Sequence, residues 1–440
     1  MYEQLLDRYG VFFEGLPEPV FYGRHYPTGN PDDLRGMGLM DDFCYGWGLK
    51  EDRDPSGALL CEHREAYERE LHQLLCTVAE KTVGIHRGVV VIPPSTAGKV
   101  SRVTEIVRRA LARMPNLFDD LTDTVTRTRD KGAAHGGSRQ RRSYHESYDT
   151  IGVAKDGQVE RYGLILVIDD ILTSGKSFRV MDDKLSDSGF AGTIVNFAFL
   201  RTCRGEAVLP CLDLRRPDSE LAQSQRQRKA QNATKRIEGL VLDLGQTLLD
   251  DSPHDIPFEE QFLTRDHPPV DVPYSPYRGI ERLTNLGIPY AIISDRPPTQ
   301  QMKLYSVERV RAALLPHCEK VPPLPSNVFT FPIEERDDFT VRHYRPSPRG
   351  VLEALSYLRE QLSSGGEHAR IIGLGNTFDD IVAYEAAGIE SALALWGIPD
   401  TLRDGARKSW CADHVFETIE AFAAWVKESG RGSKASRIST

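Results

Sequence analysis

Apolar runs of strand length alternate with helical patterns through most of the chain. Gly88–Ile92, Leu164–Ile168 and Thr193–Phe199 read as strands in the first half, and Gly239–Leu242, Tyr290–Ile293 and Arg370–Leu374 in the second. Near-continuous apolar strands separated by helices are the pattern of parallel sheets covered on both faces. From Asp213 to Arg236 the apolar periodicity is lost, and Gln223–Asn232 is almost wholly polar, which predicts a solvated linker or an exposed helix. The expected fold class is therefore α/β in two domains, each a parallel sheet flanked by helices. The first would cover 1–212, a polar linker 213–236, the second domain 237–427 and a flexible tail 428–440.

At 440 residues the chain exceeds one ordinary core, which fits this division. Hydrophobic residues at 40% and charged residues at 27% are a globular composition. The net charge of −9 argues against nucleic acid as a partner through a general basic face. Cysteines 44, 61, 76, 203, 211, 318 and 411 show no C-x-x-C pair and no metal-ligand spacing, so they predict reduced thiols. No secretory leader begins the sequence and no apolar run reaches membrane-spanning length, so the expectation is a cytoplasmic protein with no membrane partner. A homodimer stays open.

The chemistry concentrates at Ile168-Asp169-Asp170-Ile171-Leu172-Thr173-Ser174-Gly175-Lys176-Ser177. Here an apolar strand reaches two adjacent carboxylates, and a small hydroxyl-rich turn precedes a helix. Amides and hydroxyls of such a turn hold a phosphate, with the helix N-terminus adding its dipole. The carboxylates can meet ribose hydroxyls or a hard cation such as Mg²⁺. Gly175-Lys176-Ser177 looks like the end of a P-loop, but Asp170 stands where that motif needs its first glycine. The stretch resembles the phosphoribosyl-diphosphate (PRPP) signature of the type I phosphoribosyltransferases at every position. The resemblance implies that Asp169 and Asp170 act catalytically on the ribose side, and that Thr173, Ser174, Gly175, Lys176 and Ser177 bind the phosphate.

Two further segments extend this reading. Pro93-Pro94-Ser95-Thr96-Ala97-Gly98-Lys99 follows a strand and could present amides, Ser95 and Lys99 to a diphosphate, although an ordinary strand-to-helix loop has the same look. In the resembled family the equivalent loop binds diphosphate. Arg127–Arg142 is glycine-rich and cationic, suited either to closing over a polyanion or to lying solvated on the surface. The family carries a flexible catalytic loop at this place. Diphosphate departs as C1 of the ribose becomes oxocarbenium-like, so Mg²⁺ and basic groups must take up its charge while water is excluded. The hood that selects the acceptor is expected within 1–61, where Phe12, Phe13, Phe21, Tyr22, Phe43, Tyr45 and Trp47 could stack a base or simply pack.

The second half ends three strands in polar groups: Asp243 with Thr247, Ser294, and Asn376-Thr377-Phe378-Asp379-Asp380. A nucleophile, a phosphate-binding hydroxyl and cation ligands at one sheet edge would make a phosphoryl-transfer site. Residues 237–427 resemble the haloacid dehalogenase superfamily, the match including Arg345-Pro346-Ser347-Pro348 before a helix. The resemblance implies Asp243 as nucleophile, Thr247, Ser294 and Arg345 as phosphate ligands, and Asp243, Asp380 and Asn376 as the Mg²⁺ set. Three residues depart from the pattern: Gly245 replaces the acid–base aspartate, Arg345 the lysine, and Asn376 an aspartate. Loss of the proton donor slows such a phosphatase by roughly 10²–10⁴-fold.

The function expected from the fusion is bifunctional. The first half would transfer phosphoribose from PRPP to a small base or amine acceptor with Mg²⁺, and the second would act as a phosphatase on a phosphorylated small molecule of nucleotide-type metabolism. The alternative is a regulatory or stress-response protein that binds PRPP or a nucleotide and carries an impaired hydrolase domain.

Overall fold

The computed structural model describes residues 1–49 (except 14, 15, 17 and 29), 61–130, 144–204 (except 155–158 and 174), 218–250 (except 233–234) and 345–429 (except 363–368), with short segments between 275 and 342. It divides into two compact units, Met1–Gly205 and Glu206–Thr440. Both are mixed α/β with a mainly parallel sheet flanked by helices.

In the first unit the strands are β1 (Gly10–Phe12), β2 (Val20–Thr28), β3 (Arg87–Val91), β4 (Asp119–Asp120), β5 (Val125–Arg127), β6 (Ile151–Val153), β7 (Leu164–Leu172) and β8 (Thr193–Arg204). The main sheet runs β1-β2-β8-β7-β3-β4, parallel except for β1, while β5 and β6 form a separate antiparallel ribbon. Helix α1 (Cys61–Lys81) precedes β3, α2 (Arg102–Ala112) follows it, and α3 (Lys176–Asp187) follows β7. The Ser101 hydroxyl accepts from Thr104 N to start α2, and Val103, Ile106, Val107, Ala110 and Leu111 form its buried stripe. On α3, Phe178, Met181 and Leu185 join Val90, Ile92, Ile165 and Val167 in one core. Removing apolar surface of this kind from water is what holds the layers together.

The chain leaves β3 toward β4 but leaves β7 in the opposite direction, toward β8. Crossovers of one hand running in opposite directions lie on opposite faces, so their loops part at the carboxyl ends of β3 and β7. Such a parting is where open α/β sheets bind ligands.

The second unit repeats this logic with β9 (Ile237–Asp243), β10 (Tyr290–Ser294), β11 (Val328–Thr330), β12 (Arg370–Gly375), β13 (Glu390–Ala394) and β14 (His414–Phe416). Their order is β11-β10-β9-β12-β13-β14, all parallel. From β9 the strands proceed one way and from β12 the other, so the loops part above Asp243 and Asn376. Helices α5 (Arg349–Gln361) and α6 (Phe378–Ala386) bury Val351, Ala354, Leu355, Ala383 and Tyr384 against Val241, Ile293 and Ile371.

One expectation is revised and one alternative is decided. Strand β7 continues through both carboxylates to Leu172, because β8 is long enough to pair with it as far as Arg201. Of the two readings of 213–236, a solvated linker or an exposed helix, the described part takes the second: α4 (Glu220–Asn232), which belongs to the second unit. Only Ala222 of α4 is buried as apolar surface. Polar contacts hold the helix instead: Arg228 pairs with Glu385, Lys229 Nζ donates to Asp413 O at 2.5 Å, and Gln225 Nε2 donates to Cys411 O at 2.8 Å. The expected tail beyond 429 lies outside the described residues.

Candidate functional site

In the first unit, Asp169 and Asp170 lie half-buried near the carboxyl end of β7. Asp169 Oδ1 accepts from Asp170 N at 2.9 Å and Asp170 Oδ1 from Ile171 N at 2.7 Å, so each carboxylate is oriented by the backbone beside it. Thr173 is exposed, Lys176 and Ser177 are half-buried on the first turn of α3, and Ser174 lies outside the described residues. Gly175 sits at φ +73° as the N-cap of α3, with no side-chain cap bond. A Cβ there would stand 2.7 Å from Leu16 Cδ1. Glycine is thus required twice, by the left-handed backbone and by the packed leucine, and the turn leads into the helix with its amides forward.

The loop after β3 leaves beside these acids. Ile92 N donates to Ile168 O at 2.9 Å, one residue before Asp169. Ser95 and Lys99 are both exposed, and Gly98 adopts φ +71°. Arg127, at the start of the cationic segment, is a support for this loop: its Nε donates to Pro94 O at 2.5 Å, Nη2 to Pro93 O at 3.1 Å and Nη1 to Thr150 Oγ1 at 2.6 Å. Asp130 Oδ1 accepts from Ala97 N at 2.7 Å. The cationic segment therefore springs from a ribbon bonded to the candidate diphosphate loop, while its residues 131–143 lie outside the described ones. No sequence signal separated Arg127 from the other arginines around it.

Most of the aromatics within 1–61 that could stack a base or simply pack are packed. Phe13, Phe21, Tyr22, Phe43 and Tyr45 are buried, and Phe12 and Trp47 partly so. One group near the same sheet edge was not anticipated: Arg201, paired in register with Leu172, lies over the rings of Phe12 and Tyr22 and donates from Nη1 to Tyr22 Oη at 3.3 Å.

The second unit's site is drawn together more tightly. Asp243 ends β9, 1% exposed, and Thr247 Oγ1 lies 3.0 Å from its Oδ2 and 3.1 Å from Asn376 Oδ1. Asn376 Nδ2 donates to Gly397 O at 2.9 Å, which turns the amide oxygen toward Thr247. Arg345 Nη1 donates to Asp243 Oδ1 at 2.7 Å and pairs with Asp380 Oδ1. Asp380 Oδ2 accepts from Asn376 N, Thr377 N and Thr377 Oγ1 in the capping box of α6. Ser294 ends β10 one position beyond the residue registered with Asp243; its side chain lies outside the described ones. Gly245 follows the strand with no side chain to act as an acid.

Two residues escaped the sequence reading. Trp396 Nε1 donates to Thr247 O at 3.0 Å, and Gly397 passes so near Gln246 that a Cβ would fall 2.0 Å from its carbonyl oxygen. A glycine after a strand is too common to have pointed there.

The second unit's donors fit a divalent cation. Asp380 Oδ1 makes no aligned hydrogen bond among the described residues, and it converges with Asp243 Oδ1 on one point, while the Asn376 amide oxygen faces Thr247 Oγ1. Among the described residues of either unit no three carboxylate, histidine or cysteine side chains form a cage, so a cation beside Asp243 and Asp380, or beside Asp169 and Asp170, would depend on ligand oxygens as well. Among the described residues no helix is long and apolar enough to cross a membrane, and Cys44, Cys76, Cys203 and Cys411 carry thiols rather than disulfides.

No family model and no curated protein matches the chain. Among solved structures, it is similar to a haloacid dehalogenase-superfamily hydrolase from Ehrlichia chaffeensis, with 14% identity over 44% of this chain and 98% of that one and a TM-score of 0.27. It is similar to a hydrolase from Pseudomonas syringae at 16% identity over 43% and 98%, TM-score 0.28. A haloacid dehalogenase family hydrolase from Deinococcus radiodurans, with bound phosphate and sodium, shows 13% identity over 45% and 98%, TM-score 0.26.

Proposed function

We propose that the chain is a bifunctional enzyme: the first unit transfers phosphoribose from PRPP to a small base or amine, and the second hydrolyses a phosphorylated small molecule. The observation that carries the first half is the placement of Asp169, Asp170 and the Gly175 turn where the β3 and β7 loops part. There the turn and the α3 amides would receive the 5′-phosphate, the acids the ribose hydroxyls, and the loop 93–99, braced by Arg127, the diphosphate. Mg²⁺, bound through the donor's own oxygens, would supply charge neutralisation on the leaving diphosphate. The C1–O bond breaks with its electron pair going to diphosphate, and the acceptor nitrogen forms the new bond and releases a proton.

In the second unit Asp243 would attack phosphorus and expel the leaving oxygen, and water would then cleave the aspartyl phosphate. Asp243, Asp380 and Asn376 would hold Mg²⁺, which supplies Lewis-acid stabilisation of the phosphoryl oxygens. With Gly245 offering no proton, the leaving group must depart as a stable anion, which favours acyl or aryl phosphates over alkyl ones. Incubating the protein with PRPP, Mg²⁺ and a panel of bases and amines tests the first activity by diphosphate release. Absence of release with every acceptor, together with absence of PRPP binding, overturns it.

A second reading is favoured by Arg345, which already occupies both Asp243 and Asp380. In it the second unit senses a phosphorylated ligand without turnover. Hydrolysis of an aryl phosphate that disappears in Asp243→Asn excludes this reading.

A further inference from the structure

Asp243 Oδ1 and Asp380 Oδ1 converge on a single nitrogen, Nη1 of Arg345, and the three side chains are 2%, 0% and 5% exposed. The other oxygen of each carboxylate is engaged elsewhere. Thr247 Oγ1 meets Asp243 Oδ2, and three donors from residues 376 and 377 meet Asp380 Oδ2. The two converging oxygens face one position, and a guanidinium fills it. Its planar fork is fixed in charge at any accessible pH, so no change of protonation vacates it. Asn376 brings no charge to the strand end, so among the described residues this contact sets two carboxylates against one guanidinium in a buried place. Buried charge of this kind stays only while paired.

A divalent cation bridging these two oxygens competes with the Arg345 nitrogen for the same position, and the two positive charges repel there. Arg345 can leave only if another anion receives it, because an unpaired buried guanidinium is costly. Resting on the reading of this unit as a phosphate site, we propose that Arg345 is a built-in counter-ion that guards the Asp243–Asp380 cation position, so that divalent cation and phosphoryl oxyanion bind cooperatively. The oxyanion draws the guanidinium away, and the cation enters the place it vacates. By linkage each ligand raises the affinity of the other by the same factor.

The test is Mn²⁺ binding followed by electron paramagnetic resonance on the full chain, with and without saturating inorganic phosphate. Wild type is expected to bind Mn²⁺ at least about tenfold more tightly when phosphate is present. Arg345→Met is expected to bind Mn²⁺ at least about tenfold more tightly than wild type without phosphate, and to show no gain when phosphate is added. Asp380→Asn in wild type should abolish the phosphate-dependent gain. Circular dichroism checks that R345M is folded; if it is not, the wild-type phosphate titration and D380N decide alone. Wild-type Mn²⁺ affinity that ignores phosphate while phosphate itself binds overturns the proposal, as does a folded R345M no tighter than wild type. Phosphate that does not bind wild type at all, read by calorimetry, removes instead the phosphate-site reading, and the R345M comparison then decides the competition between Arg345 and the cation.

Discussion

The amino ends of β12 and β13 carry a buried ion pair far along the strands from the candidate chemistry, and breaking it should separate stability from function. Arg370 Nε donates to Glu390 Oε1 at 2.9 Å, Nη2 to Oε2 at 2.7 Å, and His414 Nε2 lies 2.9 Å from Oε2. The Glu390 side chain is fully buried. Burial alone would raise its carboxyl, but the His414 hydrogen bond and the Arg370 guanidinium outweigh that and hold it at about 2, against an ordinary 4.5. A depressed carboxylate contributes stability that is complete above the unfolded value and is lost as pH falls from about 4.5 toward 2. At about 1.4 kcal/mol per pH unit, the contribution is roughly 3 kcal/mol. Removing one partner of a buried pair costs a similar amount, about 3–5 kcal/mol. Glu390→Gln should therefore destabilise the second unit by about 3 kcal/mol at neutral pH. Urea unfolding followed by tryptophan emission reads this, since Trp396, Trp410 and Trp425 all lie in that unit. The difference from wild type should shrink toward pH 2, and phosphate affinity should be unchanged. A loss under about 1 kcal/mol at neutral pH, or one that is the same in acid, refutes the reasoning.

Three further outcomes are expected. Gly175→Ala should weaken PRPP binding by about tenfold in calorimetry, since alanine meets both the left-handed backbone and Leu16; unchanged affinity would contradict the turn's role. Arg127→Lys keeps the charge but has one nitrogen in place of the planar fork that reaches Pro93, Pro94 and Thr150 together, so the apparent KM for PRPP should rise about fivefold or more with little loss of fold; an unchanged KM would show that the loop does not need this brace. Burial pushes the Asp182 carboxyl up, and the nearby Glu18 and Asp183 charges add to this against the Asn196 hydrogen bond. Stability should then fall as pH rises from about 4 through the folded-state value. Asp182→Asn should raise the thermal midpoint at neutral pH and flatten that decline; a lower midpoint would show the ionised carboxylate to be stabilising.

What the sequence reveals is what lies together along the chain. Asp169 to Ser177 and Asn376 to Asp380 are contiguous stretches, and in each the strand-turn-helix places its own residues, the amide at the head of the second included. The extension of β7 through two carboxylates was not legible, because aspartates are poor strand formers and only the length of β8 overrides that. Helix α4 could be read only as one of two alternatives, because it has no apolar periodicity and gains its place through Arg228, Lys229 and Gln225. Arg345 was legible as a candidate for this site, but its seat between Asp243 and Asp380 depends on three separate segments meeting at one strand edge. Arg127 shows the same limit, since an arginine bonded to three oxygens is indistinguishable in sequence from the exposed Arg129 beside it.

The most direct measurement of the central claim is PRPP binding by calorimetry in Mg²⁺ to the full chain, alongside the Asp169→Asn and Asp170→Asn variants. Wild type should bind PRPP with one site per chain, and each variant should bind at least about tenfold more weakly while retaining its fold. Wild-type protein that fails to bind PRPP, or binds it as well after both substitutions, would contradict the account.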